Sequence, residues 1–218
     1  APTLSVEGVD LSAYADSLIA RYSNPALKHR TWQIAMDGTQ KLPQRMLDSI
    51  RWHVPRAPVE AVALDLTDPA SVRRAADEIA EIAGPAGLDA LVLNAGSTTP
   101  PRERTLTTTG LEVTVATNVV GHAALTGHLW SSLTTAGRAG GDGHARPARV
   151  VGLGSLATRI VPFDPAALVA DHAYRPFRTY GLSKHAVHAF VLELARRVAA
   201  AGTAGADAEV QALLAHPG

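Results

Sequence analysis

The spacing of apolar side chains divides the chain near residue 54. Ahead of that point, apolar residues recur at helical spacing over 11–22, and two further helices are predicted at about 26–36 and 43–52. No alternation of apolar and polar positions indicates a strand there. Residues 1–53 are therefore predicted to form a helical segment, which a proline-containing joint at 55–58 connects to the remainder.

Beyond the joint, short apolar runs alternate with helical patterns. Strands are predicted at 59–65, 88–93, 149–153 and 210–215, and helices follow from Asp68-Pro69, at about 111–133 and at 183–200. The run at 88–93, which is apolar except for Asp89, is typical of a strand buried on both faces. This repetition predicts an α/β fold in which helices connect the strands of a doubly wound parallel sheet.

The amino-acid composition excludes several classes of partner and of chemistry. Among 218 residues, Lys and Arg together number 20, as do Asp and Glu, so the formal net charge is zero. This balance argues against nucleic acid or an anionic membrane as a partner. The absence of cysteine excludes disulfides and thiolate chemistry, and we predict no metal site. No apolar run reaches the ~18–20 residues of a membrane span, and no signal peptide is evident, so we expect a cytoplasmic enzyme.

The candidate catalytic residues follow predicted strands or lie on predicted helices. Tyr180 and Lys184 are one helical turn apart, Ser155 follows the strand at 149–153, and Asn118 lies within the helix at 111–133. On its own, the Tyr–Lys spacing is equally typical of an exposed tyrosine beside a solvated lysine. A phenol has an ordinary pKa of about 10 and is a poor acid or base at neutral pH, but a lysine ammonium on the same helix face stabilises the phenolate.

Taken together with Asn94-Ala95-Gly96 after the strand at 88–93, these residues resemble the short-chain dehydrogenase/reductase family. The resemblance implies that Tyr180 is the acid/base, that Ser155 holds the substrate oxygen, and that Asn118 holds a water linking Lys184 to solvent. The cofactor it implies is NADP or NAD. The implied cofactor-binding residues are Asp65, Leu66, Asn94, Ala95, Gly96, Tyr180, Lys184, Pro217 and Gly218.

The resemblance covers about residues 54–218. Within the family, it is to retinol-dehydrogenase-like members in particular. The supporting segments are Pro100-Pro101-Arg102, residues 106–112, Tyr174-Arg175-Pro176 and His216-Pro217-Gly218. One departure is Gly154, where the family usually has serine. Asp65 also has a simpler interpretation, as a turn residue after its strand.

A larger departure is the missing glycine loop. The family binds the pyrophosphate on a GxxxGxG turn at a helix N-terminus, and residues 1–58 contain no such turn. The matching letters at 137–143 follow a helix and precede a strand, so they are interpreted as a surface loop. We therefore expect weaker cofactor binding. We also expect the four predicted strands to pair with one another in chain order as one sheet, because a gap between the first and second of them would leave buried backbone groups without partners.

Residues 1–53 resemble a different family. Residues 21–27 and 33–43 are similar to the C-terminal helical domain of mannitol dehydrogenase and related long-chain polyol dehydrogenases, in which the lysine matching Lys41 lies near the polyol. The catalytic lysine, asparagine and histidine of that family come from an earlier helix with no counterpart here. A packing role for this segment is therefore the simpler interpretation.

The sequence thus predicts two domains, a helical segment at 1–53 and an incomplete Rossmann-like domain at 54–218. The predicted function is NAD(P)-dependent oxidoreduction of a carbonyl or alcohol group on a small molecule, impaired by the missing phosphate loop. The alternative is a non-catalytic α/β module, and polyol dehydrogenase activity ranks lower. The sequence is compatible with a homo-oligomer.

Overall fold

The computed structural model describes residues 5–6, 9–10, 32–36, 59–97, 100–138, 147–168, 174–201 and 209–216. The chain divides into two compact units, one of residues 1–34 and 40–61 and the other of residues 35–39 and 62–218. In the first unit, strand β1 (Ser5–Val6) pairs antiparallel with β2 (Val9–Asp10). The predicted domain boundary near residue 54 stays a prediction.

Strand β3 (Trp32–Met36) corrects the prediction for the N-terminal region. It forms a two-stranded sheet with β4 (Val59–Ala63). The helix predicted at 26–36 is therefore wrong for residues 32–36, and the segment is not entirely helical. The larger side chains Trp32, Ile34 and Met36 occupy every second position, and tryptophan and isoleucine favour strands. The helices predicted at 11–22 and 43–52 lie outside the described residues.

The second unit alternates strands and helices as predicted. Helix α1 (Pro69–Ala83) leads to β5 (Ala90–Leu93), and a long helical region follows, comprising α2 (Val113–Val115), a π-type turn (Ala116–Val120), α3 (Gly121–His128) and α4 (Trp130–Arg138). Then come β6 (Ala148–Leu153), α5 (Ala157–Ile160), α6 (Pro176–Ala200) and β7 (Val210–Ala215).

The start of α1 shows how the local sequence sets an element. The side chain of Asp68 accepts a hydrogen bond from the Ala70 amide at 2.9 Å, and Pro69 occupies the first turn, where its missing N–H is not needed. Along the helix, Val72, Ala75, Ala76 and Ile79 are buried. This is the predicted start of the helix, and its buried face packs in the core.

Strands β5, β6 and β7 form a parallel sheet in that order. Leu91 lies opposite Val150, which lies opposite Ala212. The α/β fold with a parallel sheet is confirmed, but the prediction that the strand at 59–65 joins the same sheet is wrong. Strand β4 pairs with β3 instead, and this pairing gives its backbone groups hydrogen-bond partners.

Side-chain packing nonetheless holds the end of β4 in the core of the second unit. Val62, Leu64 and Leu66 are buried in one apolar cluster with Leu91 and Leu93. From the helices, the cluster includes Val72, Ile79, Leu125, Leu129 and Leu133. Strand β5 is covered on one face only: Val92 is 56% exposed, so the prediction of burial on both faces is wrong for this residue.

The sheet brings two loops to one edge. Because parallel strands end on the same side, Asn94 after β5 and Ser155 after β6 both follow the carboxyl edge of the sheet. The Gly154 amide donates to the Ala215 carbonyl at 2.8 Å, which ties the loop after β6 to the end of β7.

A glycine sets the closest approach between α3 and the segment after β4. A Cβ at Gly121 would lie 2.3 Å from the carbonyl oxygen of Leu66 and 2.7 Å from its Cβ. No side chain fits at that separation, so α3 can pack this closely only with glycine here. A Cβ at Gly127, on the same helix, would meet no atom within 4 Å, so this position serves as the control.

We predict that Gly121→Ala lowers the free energy of unfolding by about 1–3 kcal/mol because the methyl group forces α3 away from Leu66. Gly127→Ala should raise it by roughly 0.5–1 kcal/mol, since alanine is the better helix former. Urea denaturation of the two variants gives the comparison. Equal effects at the two positions would contradict the assigned packing.

Candidate active site

Helix α6 carries Tyr180 and Lys184 one turn apart, as predicted. It begins at Pro176 rather than at 183, because proline is favoured in a first turn and Arg175 ahead of it is extended. Tyr180 therefore lies in the second turn and not at the helix start. The Lys184 ammonium nitrogen is 5.9 Å from the centroid of the Tyr180 ring, so the two side chains share one face.

Tyr180 and Ser155 are in hydrogen-bond contact. The Tyr180 hydroxyl donates to Ser155 Oγ at 3.1 Å, and the Ala157 amide donates to the same oxygen at 3.2 Å. Ser155 therefore accepts two bonds, and its own proton remains available to a third partner. The two hydroxyl groups are close enough to contact one substrate oxygen.

Lys184 is buried behind this pair. Its ammonium group donates to the Leu153 carbonyl at 3.0 Å, and the residue is only 7% exposed. Burial lowers the pKa of Lys184 from its ordinary value. A Cβ at Gly96 would lie 3.9 Å from Lys184 Nζ, so the loop after β5 passes beside the ammonium group.

The side chain of Asn118 joins that loop to helix α6. Its Oδ1 accepts from the Ser97 amide at 2.9 Å, and its Nδ2 donates to Ser183 Oγ at 2.9 Å and to the Ser97 carbonyl at 3.3 Å. Ser183 Oγ in turn donates to the Tyr180 carbonyl at 2.7 Å. With 1% exposure, Asn118 is a buried amide whose donors and acceptor are used.

The structure therefore brings together Asn118, Ser155, Tyr180 and Lys184. Their catalytic roles remain predictions. Sequence reasoning missed the supporting residues Ser97 and Ser183, although Ser183 immediately precedes Lys184 in the motif. It also missed His122, whose only signal was its position one turn after Asn118.

His122 is 5% exposed and lies against the carbonyl of Asn118, with Nδ1 at 3.1 Å from that oxygen. Burial lowers the pKa of His122 to about 4, and the charge of Lys184 acts in the same direction. The ring is consequently neutral at physiological pH.

The predicted cofactor-binding residues differ in burial and in hydrogen bonding. Asp65 Oδ1 accepts from the Thr67 amide at 2.8 Å and from its hydroxyl at 2.7 Å, which is the turn arrangement considered from the sequence. Leu66 is buried in the apolar core, so only its backbone could contact a ligand. Asn94 and Gly96 are exposed and Ala95 is half-buried. Pro217 and Gly218 lie outside the described residues.

The loop that matches the glycine pattern starts at the wrong edge of the sheet. A Cβ at Gly137 would lie 1.8 Å from the Glu209 carbonyl oxygen, so Gly137 packs where β7 begins. The tyrosine and lysine site follows the opposite, carboxyl ends of the strands. Residues 139–146 lie outside the described residues.

Among the described residues, the groups suited to a nicotinamide riboside lie around Lys184. Its ammonium group is 5.9 Å from the centroid of the Tyr180 ring, and the loop at Asn94–Gly96 passes beside it. For the pyrophosphate, residues 1–58 contain no GxxxGxG turn.

The position of His188 explains why residue 154 is glycine instead of serine. A Cβ at Gly154 would lie 2.6 Å from His188 Nε2, so the ring occupies the space that a serine would need. Within the described part of the chain, this nitrogen is buried without a hydrogen-bond partner. Burial, followed by His185, His216 and Lys184 nearby, lowers the pKa of His188.

The described residues contain no group of three or more metal-ligating side chains that could hold a metal ion. They also contain no helix with the length and apolar character needed to cross a membrane.

Comparisons with known proteins give different relatives for different parts of the chain. A family model of the mannitol dehydrogenase C-terminal domain matches residues 1–66. A stretch of 54 residues is 82% identical to the uncharacterized oxidoreductase YdfI of Escherichia coli, which is 25% of this chain and 11% of that protein. Polyprenol dehydrogenase of Mus musculus is 35% identical over 159 residues, 73% of this chain and 45% of that protein.

Among solved structures, a short-chain dehydrogenase from Burkholderia cenocepacia in complex with NADP aligns with a TM-score of 0.59 at 22% identity. The alignment covers 94% of this chain and 69% of that one, and at this identity it shows the fold alone. Both resemblances seen in the sequence are thereby confirmed. The chain spans less than half the length of these two curated relatives.

We predict that Gly154→Ser lowers the free energy of unfolding by about 1–3 kcal/mol because the side chain meets the His188 ring. His188→Ala should relieve the clash, so the double variant should be more stable than the sum of the single effects by roughly 0.5–3 kcal/mol. A double-mutant cycle measured by urea denaturation gives this coupling. Strict additivity would rule out the assigned contact.

Stability should also depend on His122 between pH 6.5 and 4. The pKa of His122 is about 4 in the folded chain against an ordinary 6.5, so in this window the unfolded chain binds more protons and stability falls as the pH drops. The loss by pH 4 is about 3 kcal/mol from this residue. His122→Asn, measured beside the parent chain, should show a correspondingly shallower loss. Parallel pH profiles of the two chains would contradict the burial of a neutral ring.

Proposed function

We propose that the chain carries an oxidoreductase site of the short-chain dehydrogenase type, acting on a carbonyl or alcohol group of a small molecule with NADP or NAD. The observation that carries the proposal is the 3.1 Å contact between the Tyr180 hydroxyl and Ser155, with Lys184 beside the tyrosine ring. The oxidoreductase names of the relatives and the NADP complex of the structural neighbour support it.

Tyr180 is the proton donor to a carbonyl oxygen, and the acceptor from an alcohol in the reverse direction. The substrate oxygen would take the place between the Tyr180 and Ser155 hydroxyl groups. Because Ser155 Oγ already accepts from the Ala157 amide, its proton points to the substrate and stabilises charge that develops on that oxygen.

Lys184 supplies positive charge beside the phenol. One of its three donors is used by the Leu153 carbonyl, which leaves two for a ribose hydroxyl and for a water. Its ammonium group favours the phenolate form of a nearby tyrosine through charge. Asn118 acts indirectly, by holding Ser97 of the loop after β5 and Ser183, the residue before Lys184.

A bound nicotinamide supplies or accepts the hydride. Lys184 and residues 94–96 would hold its riboside, while Asp65, the backbone of Leu66, and Pro217-Gly218 would contact the remainder. The missing glycine turn leaves the pyrophosphate with few backbone donors, so turnover is impaired.

Exposed apolar side chains that are close in sequence to Ser155 and Tyr180 favour a substrate with an apolar substituent. Leu156 directly follows Ser155, and Phe177 lies one turn ahead of Tyr180 on α6. Together with Ile160 and Phe163, they are between 49% and 70% exposed.

The alternative is a non-catalytic α/β module, composed of residues 1–53 and an incomplete domain at 54–218. The absence of the phosphate turn favours it. Polyol dehydrogenase activity ranks lower, because the matching family model covers only residues 1–66. Lys41 lies outside the described residues.

We predict that Tyr180→Phe lowers kcat for NADPH-dependent carbonyl reduction by roughly 10²–10⁴-fold, because the proton donor is lost. Tyr174→Phe is the matched control, since the Tyr174 hydroxyl donates to the Pro101 carbonyl away from Ser155. It should leave kcat nearly unchanged. Steady-state kinetics over a panel of aliphatic and aromatic carbonyl compounds gives the comparison. Equal rates for Tyr180→Phe and the parent chain would refute the assigned role, and a parent chain without activity would favour the non-catalytic module.

A further inference from the structure

The turn that contains Asn118 is wider than an ordinary helical turn. The Gly121 amide donates to the Ala116 carbonyl, five residues back, instead of to a carbonyl four residues back. Such π-type turns are uncommon and occur frequently at functional sites. The widened turn sets the direction in which the Asn118 side chain leaves the helix.

His122 binds this turn from the next turn of the same region. Its Nδ1 lies 3.1 Å from the Asn118 carbonyl oxygen. A carbonyl only accepts, so Nδ1 carries the proton and Nε2 is bare in the neutral ring. The His122 carbonyl accepts from the Thr126 hydroxyl at 2.8 Å, which ties it to the following turn.

From His122, hydrogen bonds continue to the residue proposed as the acid/base. His122 Nδ1 donates to the Asn118 carbonyl, Asn118 Nδ2 donates to Ser183 Oγ, and Ser183 Oγ donates to the Tyr180 carbonyl. A second branch leads from Asn118 Oδ1 to the Ser97 amide. The ring is thus connected both to helix α6 and to the loop after β5.

We propose that His122 is a positioning residue: its Nδ1–H holds the Asn118 carbonyl and thereby fixes the turn from which the Asn118 amide reaches Ser97 and Ser183. The catalytic consequence rests on the proposed function, whereas the hydrogen-bonded arrangement does not. A histidine that only filled space would be replaceable by leucine. A positioning histidine requires a donor at this point.

The neutral state of the ring suits this role. Lys184 is the charged group that faces His122, and a second positive charge beside it would be repelled. Burial keeps His122 uncharged, so it donates one hydrogen bond without opposing the Lys184 ammonium group.

The first test uses the parent chain without substrate or cofactor. Long-range ¹H–¹⁵N correlation spectra of the histidine rings at pH 7 should show one ring with a protonated Nδ1 and a bare Nε2, absent from the spectrum of His122→Asn. A ring protonated at Nε2 alone, or charged at pH 6, would overturn the proposal.

The second test measures hydrogen exchange of the Ser97 amide, which donates to Asn118. His122→Leu should accelerate this exchange roughly fivefold to tenfold, the effect of weakening one hydrogen bond. His122→Asn, which keeps a donor near the Nδ1 position, should preserve the parent rate. His128→Leu, at an exposed histidine on α3, is the control and should also preserve it. Parent-like exchange in His122→Leu would overturn the proposal, and if that variant fails to fold, the ring spectrum decides.

Kinetics separate this proposal from the proposed function. Where reductase activity is measurable, His122→Leu should lower kcat with little change in the cofactor KM, and His122→Asn should restore kcat. Unchanged kcat in His122→Leu would overturn the positioning role. A chain without any reductase activity would count against the proposed function alone, because the ring spectrum and the Ser97 exchange are measured without turnover.

Discussion

The candidate site depends on the hydrogen bonds that the side-chain amide of Asn118 makes. This amide is buried, and it joins two segments far apart in sequence, the loop after β5 through Ser97 and helix α6 through Ser183. A buried amide without partners is unfavourable, so the two segments are held where its donors and acceptor need them. Tyr180 and Lys184, on helix α6, and Ser155, after β6, lie at the carboxyl edge of the three-stranded sheet of β5, β6 and β7.

Apolar packing and backbone hydrogen bonding give β4 different partners. Val62 and Leu64 remain in the core with Leu91 and Leu93, because packing needs only contact. Strand β4 nevertheless pairs with β3 instead of β5, since its backbone groups require a partner at hydrogen-bond distance. The residues of the proposed acid/base site therefore meet although β4 does not pair with β5 in the described part of the chain.

The sequence predicted features that depend on local chemistry and on strong motifs. The start of α1 followed from Asp68-Pro69, and the meeting of Ser155 with Tyr180 followed from their places after β6 and on α6. Features set by long-range packing were not predictable. Trp32–Met36 is a strand despite a helical interpretation, and the sheet order depended on which partner β4 would find. His122 and His188 carried no motif, and only their neighbours, the Asn118 carbonyl and Gly154, show what they contact.

The proposed site has no GxxxGxG turn within residues 1–58 to hold the pyrophosphate, so it should bind the cofactor weakly, and cofactor affinity is the decisive measurement. Each charge-assisted backbone bond to a phosphate contributes roughly 1.5–3 kcal/mol, so losing two or three weakens binding by about 3–6 kcal/mol, some two to four decades in Kd. Titration of the intact chain with NADPH and with NADH, followed by cofactor fluorescence, should give a Kd of about one millimolar or weaker if a complete site would be micromolar. Micromolar binding would contradict the absence of a phosphate anchor and show that residues 1–58 supply a phosphate site of their own.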